Sequence, residues 1–158
     1  MAHNLHQCQI LVRKAVAAGA KALFLPEAAD YMASSPAESL ALVRPVADSV
    51  FVRGLRDAAR RERLPIHVGV HEPTTGDGAG RIKNTVLWID EAGDIAHRYQ
   101  KIHLFDVDIA GGPVLKESAA VEAGSVIEAP FETGVGKVGM AICFDVRISP
   151  PLVTRLPT

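Results

Sequence analysis

Apolar residues at the start of the chain recur at helical spacing: Leu5, Cys8, Leu11, Val12, Ala15 and Val16 share one face, and Gly19 follows where a helix C-terminus favours a residue tolerant of positive φ. The spacing predicts an amphipathic helix beginning almost at the first residue, with Cys8 on its core side. Ala22-Leu23-Phe24-Leu25 is a short apolar run stopped by Pro26, which predicts a buried strand with Glu27 at its carboxyl end. Pro36-Ala37-Glu38 can open a second helix. From Val50 to Arg63 the 3.6-residue period returns, with Phe51, Leu55, Ala58 and Ala59 on one face and Arg53, Arg56, Arg60 and Arg61 on the other.

The period then shortens. Pro65 to His71, Thr85 to Asp90 and Ile95 to Ile102 read as strands, the last delivering Lys101 at its end. Thr74 to Gly80 has the composition of a flexible connection, and Glu91-Ala92-Gly93-Asp94 that of a turn. Two further short strands are expected near Val126 to Ala129 and Lys137 to Ile142. Between them and Lys101, Asp106 to Gly124 contains Gly111-Gly112-Pro113 and reads as a long connection of the kind that often carries function. Helices first and tightly joined strands afterwards predict an α/β chain with a mixed sheet.

Composition narrows the function classes. The chain has 158 residues, 48% of them apolar, enough for one hydrophobic core. A formal charge of -1 gives no electrostatic reason to expect nucleic acid or an anionic membrane as partner. Asp57 and Glu62 interleave with the arginines, which therefore read as a solvated helix face. Two distant cysteines make no disulfide framework and fit a reducing compartment. The expected location is cytoplasmic, with a mitochondrial address left open. No signal peptide or membrane anchor is expected, because no apolar run approaches the roughly 20 residues a spanning helix needs.

Three residues then stand out. Val138 to Arg147 places Cys143 at the end of an apolar run beside charged residues, which makes its sulfur a candidate nucleophile. Taken alone, a free cysteine is more often a small core residue. Glu27 and Lys101 stand at two other strand ends, where sites assemble in sheet proteins, and they supply a base and a cation beside the nucleophile. Other patterns carry less. Gly134-Val135-Gly136-Lys137-Val138-Gly139 matches G-x-G-x-x-G by letter, yet strand continues where a helix should open, so a hairpin turn explains it better. His67, His71, His97 and His103 do not have the spacing of a zinc site.

Leu25-Pro26-Glu27, Tyr99 to Asp106 and Ala141 to Arg147 together resemble the three motifs of the nitrilase-related carbon-nitrogen hydrolases. Ala28 to Tyr31, Gly69 to Glu72, Phe105 to Asp108 and Gly112 to Ser118 look most like the deaminated glutathione amidase branch, with omega-amidase, which acts on monoamides of 2-oxo dicarboxylic acids, as its close rival. The resemblance implies a nitrilase-like α-β-β-α sandwich, and amide hydrolysis through a thioester by Cys143, Glu27 and Lys101. It implies that Glu117 and Phe144 position the substrate, Glu117 by orienting the triad and helping to hold substrate and Phe144 by offering its N–H to the oxyanion. No metal or organic cofactor is required. The implied partners are a small amide, water and further copies of the domain. Relative to the family, residues 1–147 form a partial domain, incomplete at both ends. Residues 148–158, with Pro150-Pro151, form a tail outside the pattern, and a non-catalytic binding fragment is the other function class this leaves.

Overall fold

The computed structural model describes residues 1–75, 80–112 and 114–148. The centre of the Thr74 to Gly80 connection, Pro113 and the tail from residue 149 onward, Pro150-Pro151 included, lie outside the described residues.

Three α-helices form among the described residues, the first and third where the periodicity predicts them and the second at the Pro36 start: α1 (Ala2–Ala17), α2 (Pro36–Leu42) and α3 (Val50–Glu62). Ser35 and Ser49 start the second and third by accepting the N–H of Glu38 and Val52, and Arg63 ends α3 in a left-handed conformation. Cys8 is buried on α1, and Phe51, Leu55, Ala58 and Ala59 are fully buried on α3. Burial of Phe51 or Leu55 stabilises by about 1.5–3 kcal/mol each. The arginines of α3 are employed structurally. Arg56 and Arg60 donate to the Gly93 and Ala92 carbonyls of the predicted turn.

The strands are β1 (Leu23–Phe24), β2 (Ile66–Pro73), β3 (Ile82–Ile89), β4 (Ile95–Gln100), β5 (Asp106–Asp108), β6 (Val114–Lys116), β7 (Val121–Glu122), β8 (Phe131–Thr133) and β9 (Gly136–Val138). The main sheet runs β1-β2-β3-β4 and is mixed: β1 is parallel to β2, while β2, β3 and β4 form antiparallel pairs. The parallel β7 joins β3 at Ile82 and Lys83. Because β2 occupies one edge of β3 along its whole length, β4 and β7 share the other edge, and the chain leaves that edge at Lys101.

Side-chain alternation divides the sheet into two faces. Ile66, Val68, Val70, Leu87 and Ile89 pack on α1 and α3 in the larger core. The opposite face carries a smaller cluster of Val86, Trp88, Tyr99, Met140 and Ile142. Among the described residues, no helix is long and apolar enough to cross a membrane.

Three sequence expectations change. No strand forms at Val126 to Ala129, where Val126 is 71% exposed and Pro130 follows; pairing begins at Phe131 instead. The strand expected over Lys137 to Ile142 pairs only through Val138, after which Met140 and Ile142 remain buried in extended chain. The long connection after Lys101 is internally structured, with β5 and β6 paired as a hairpin. The glycine-rich segment around Gly134 is the hairpin turn between β8 and β9.

Candidate active site

Glu27 is presented by a bulge. After β1 the chain stays beside β2 through Leu25 N–H to His67 O (2.8 Å), Gly69 N–H to Pro26 O (3.1 Å) and Ala29 N–H to Gly69 O (2.9 Å). Gly69 thus faces the whole stretch from Pro26 to Ala29, and Ala28 takes a left-handed φ of 53°. A Cβ on residue 69 would stand 2.5 Å from Glu27 Cα and 2.9 Å from both Ala28 N and Pro26 O. Only glycine admits this approach. Gly69 belongs to the face opposite the helices, so the Glu27 side chain stands on that face.

Lys101 follows β4 at the point where the edge of β3 changes hands. Its N–H donates to Asn84 O (2.9 Å) and its carbonyl accepts from Gly124 N–H (2.8 Å). The side chain is 2% exposed. Its Nζ lies 3.3 Å from Glu27 Oε1 and 2.8 Å and 3.0 Å from the two oxygens of Glu117. Burial pulls this ammonium down, but the hydrogen bond and charge of Glu117, then the charges of Glu27 and Cys143, outweigh it and hold the pKa above the ordinary lysine value.

Glu117 follows β6 and opens a short 3-10 turn, Glu117–Ala119. The hairpin of β5 and β6 therefore positions it, and Glu117 Oε2 also accepts the Phe105 N–H at 2.7 Å. Asp106 closes the same loop by accepting from Ser118 N–H and Oγ, and those bonds lower its pKa. Asn84 Nδ2 donates to Glu27 Oε1 at 2.6 Å and reaches Glu117 Oε1 at 3.4 Å.

Cys143 begins a second 3-10 segment, Cys143–Arg147, in a left-handed conformation with φ 49°. For a residue bearing a Cβ this costs about 1 kcal/mol or more and persists only when neighbours impose it. The fully buried Asp145 imposes it. One oxygen accepts Ile142 N–H (3.0 Å) and Tyr99 Oη–H (2.8 Å); the other accepts His103 N–H (2.9 Å) and meets His103 Nδ1 at 2.8 Å. Tyr99 is raised well above the ordinary phenol range by burial and by Asp145. The exposed Cys143 thiol is pushed up by burial first and then by the charge of Glu27 and a hydrogen bond to it; Lys101 pulls it down, but less. Phe144 packs edge-on against Phe105, 5.2 Å between ring centres, and its N–H precedes the segment's first internal bond, Asp145 N–H to Ile142 O.

Glu27, Lys101, Glu117 and Cys143 line one cavity of about 430 Å³ with Phe105, Leu115 and Lys116. A second, of about 570 Å³, lies against Glu27, Asn84 and Glu117 and extends to Tyr31 and His71. The Cys143 thiol, two carboxylates and the Lys101 ammonium converge here, with Lys116 on the same wall, so the arrangement can transfer a proton beside a nucleophile. The four histidines do not converge: His71 pairs with Asp30, His97 with Glu128 and His103 with Asp145, and His67 is held below its usual pKa by burial. Among the described residues, no group of three or more His, Cys, Asp or Glu could hold a metal ion.

Sequence reasoning passed over Asn84, because the strand was expected to begin one residue later. Tyr99 and Asp145 stood inside the motif segments without a role. The signal for Asn84 is a polar side chain inside the apolar run from Ile82 to Ile89. For Asp145 it is an acid two residues past the cysteine.

The carbon-nitrogen hydrolase family model matches residues 1–154. A probable hydrolase nit2 from Schizosaccharomyces pombe is 41% identical over 145 residues, 91% of this chain and 52% of that protein. A deaminated glutathione amidase from Rattus norvegicus is 36% identical over 155 residues, 97% of this chain and 47% of that one. The crystal structure of the C. elegans NitFhit protein superposes with a TM-score of 0.83 at 30% identity, over 94% of this chain and 36% of that chain. The chain spans about half the length of the curated relatives it matches. A family match over nearly the whole chain, on a fold shared with a nitrilase-related structure, means that this chain belongs to the carbon-nitrogen hydrolase family.

Proposed function

We propose that the domain to which this chain contributes hydrolyses a non-peptide amide C–N bond, with Cys143 as nucleophile, Glu27 as general base and acid, and Lys101 as oxyanion partner. The observation that carries this reading is the meeting of three residues, far apart in sequence, around one cavity: Lys101 Nζ lies 3.3 Å from Glu27, and Cys143 lines the same wall. The relatives named deaminated glutathione amidase make amides of that class the first substrates to test.

An amide carbon is a poor electrophile and an amine leaves badly, so the chemistry needs a stronger nucleophile, a held oxyanion and a proton for nitrogen. The raised thiol pKa leaves Cys143 protonated at neutral pH, and Glu27 removes that proton as sulfur attacks the carbonyl carbon. Lys101 and the Phe144 N–H hold the oxygen while it is negative. Glu27 then passes its proton to nitrogen, the C–N bond breaks and the amine leaves a thioester on Cys143. Water attacks next, giving its proton to Glu27; the C–S bond breaks, an acid forms and sulfur recovers the proton. Glu117 keeps Lys101 in place through two short contacts. No step calls for a metal or an organic cofactor.

The test is ammonia release from small amides by the parent and by Cys143→Ala. The variant should lose activity at least about a thousandfold while keeping its circular dichroism spectrum. Undiminished turnover by a folded Cys143→Ala removes the nucleophile from the account. A parent that binds amides yet releases no ammonia favours the binding-fragment reading.

A further inference from the structure

We propose that Asn84 is a positioning residue that holds the Glu27 carboxylate in place beside Lys101 and Cys143, by donating its side-chain amide to Glu27 and, at greater length, to Glu117. The inference rests on the hydrolase reading for its consequence in turnover, but the geometry stands without it.

Asn84 is 4% exposed and touches the site twice. Its backbone carbonyl accepts the Lys101 N–H at 2.9 Å, and its Nδ2 donates to Glu27 Oε1 at 2.6 Å. One residue of β3 therefore sets both the ammonium, which follows the neighbouring β4, and the carboxylate, which follows β1 on the far side of β2. Two carboxylates meet at Lys101 here, with Lys116 on the same cavity wall, and like charges this close repel each other unless donors hold them. The Asn84 amide is a second donor reaching both Glu27 and Glu117, at 2.6 Å and 3.4 Å.

The other end of the amide supports a functional reason for the residue. Asn84 Oδ1 is buried and has no hydrogen-bond partner among the described residues. An orphaned acceptor costs stability, so packing alone does not account for asparagine here. Turned over, the amide would set that oxygen against the Glu27 carboxylate, acceptor against acceptor. The carboxylates therefore fix its orientation.

The titratable groups that line cavities with Glu27 are Lys101 from the end of β4, Lys116 and Glu117 at the end of β6, Cys143, Tyr31, and His67 and His71 from β2, the last paired with Asp30. Because the Cys143 thiol interacts with the charge of Glu27, alkylation of that sulfur reports the charge without any knowledge of the substrate.

The experiment is the rate of Cys143 alkylation by iodoacetamide at neutral pH in the 158-residue chain, located by peptide mapping, with ammonia release measured alongside. Glu27→Gln removes a charge that pushes the thiol up and should speed alkylation. Asn84→Ala, which frees the same carboxylate, should change the rate in the same direction by about threefold, and the isosteric Asn84→Asp, which replaces the donor with a third carboxylate, should slow it. Asn84→Gln keeps an amide donor and should return the rate toward the parent. At neutral pH, kcat of Asn84→Ala should fall about tenfold with KM changed less than threefold. An unchanged alkylation rate in folded Ala and Asp variants overturns the proposal, and so does a rate that Glu27→Gln leaves unchanged. Loss of the fold in both variants overturns it too, because Asn84 is then structural. A parent that releases no ammonia while alkylation changes as expected defeats the hydrolase reading and leaves the Asn84 contact standing.

Discussion

Glu27 and Cys143 both sit at left-handed kinks occupied by residues with a Cβ, yet the two kinks are held in different ways. The one at Ala28 is stapled by backbone: Gly69 exchanges hydrogen bonds with Pro26 and Ala29 and comes so close that no side chain fits between. The one at Cys143 is held by a single carboxylate, Asp145, reaching Ile142, Tyr99 and His103. The difference concerns robustness. A backbone staple depends on one residue being small and tolerates most changes around it. A side-chain clamp depends on charge, and each of its partners can be removed separately.

The sharpest way to break the comparison is Gly69→Ala. The added Cβ meets backbone atoms that cannot rotate away, so we expect a loss of about 3 kcal/mol in urea unfolding, of the size that overpacking produces. The damage should fall on Glu27 and spare the Cys143 turn, which amide chemical shifts around residues 141–147 can check. Asp145→Ala attacks the other kink. It leaves two backbone N–H groups and a phenol without their acceptor, and we expect a loss of about 2 kcal/mol, with faster alkylation as the Cys143 turn loosens. Equal damage at both kinks from either variant would show that they are one unit.

Tyr99→Phe sharpens the comparison with the smallest change, removing one arm of the clamp at about 1 kcal/mol at neutral pH. Its signature is in the alkaline range. Tyr99, Cys143 and Lys101 all hold their protons more tightly in the folded chain than in the unfolded one. Between each unfolded and folded pKa the native state binds more protons, so stability is fully present below that window and declines as pH rises through it. Unfolding followed upward from pH 9 should therefore show falling stability, with a shallower fall in Tyr99→Phe.

How much of this was legible depended on the kind of signal each residue leaves. Glu27 is readable because an apolar run stops just before it, Lys101 because it stands at the end of a predicted strand, and Cys143 because it ends an apolar run. Gly69 reads as one more residue of an apolar strand, since its close approach to Glu27 is a property of two distant segments. Asn84 is hidden for a similar reason: its partners lie 57 and 33 residues away. The hairpin of β5 and β6 left no clear period because Val114 and Leu115 are exposed on a two-stranded ribbon, with no buried face to impose alternation. The strand expected at Val126 failed for the converse reason, apolar residues lying outside any core.

The shared edge of β3 joins the candidate site to the sheet. Glu117 is tied to that edge by only a short turn and the two residues of β7, with Ala120 O taking the Ile82 N–H at 2.9 Å. Whatever occupies the cavity and tugs on that carboxylate also tugs on the ladder. The carboxylate and the end of β3 are thus one mechanical unit: displacing Glu117 strains the ladder, and fraying the ladder unseats Glu117.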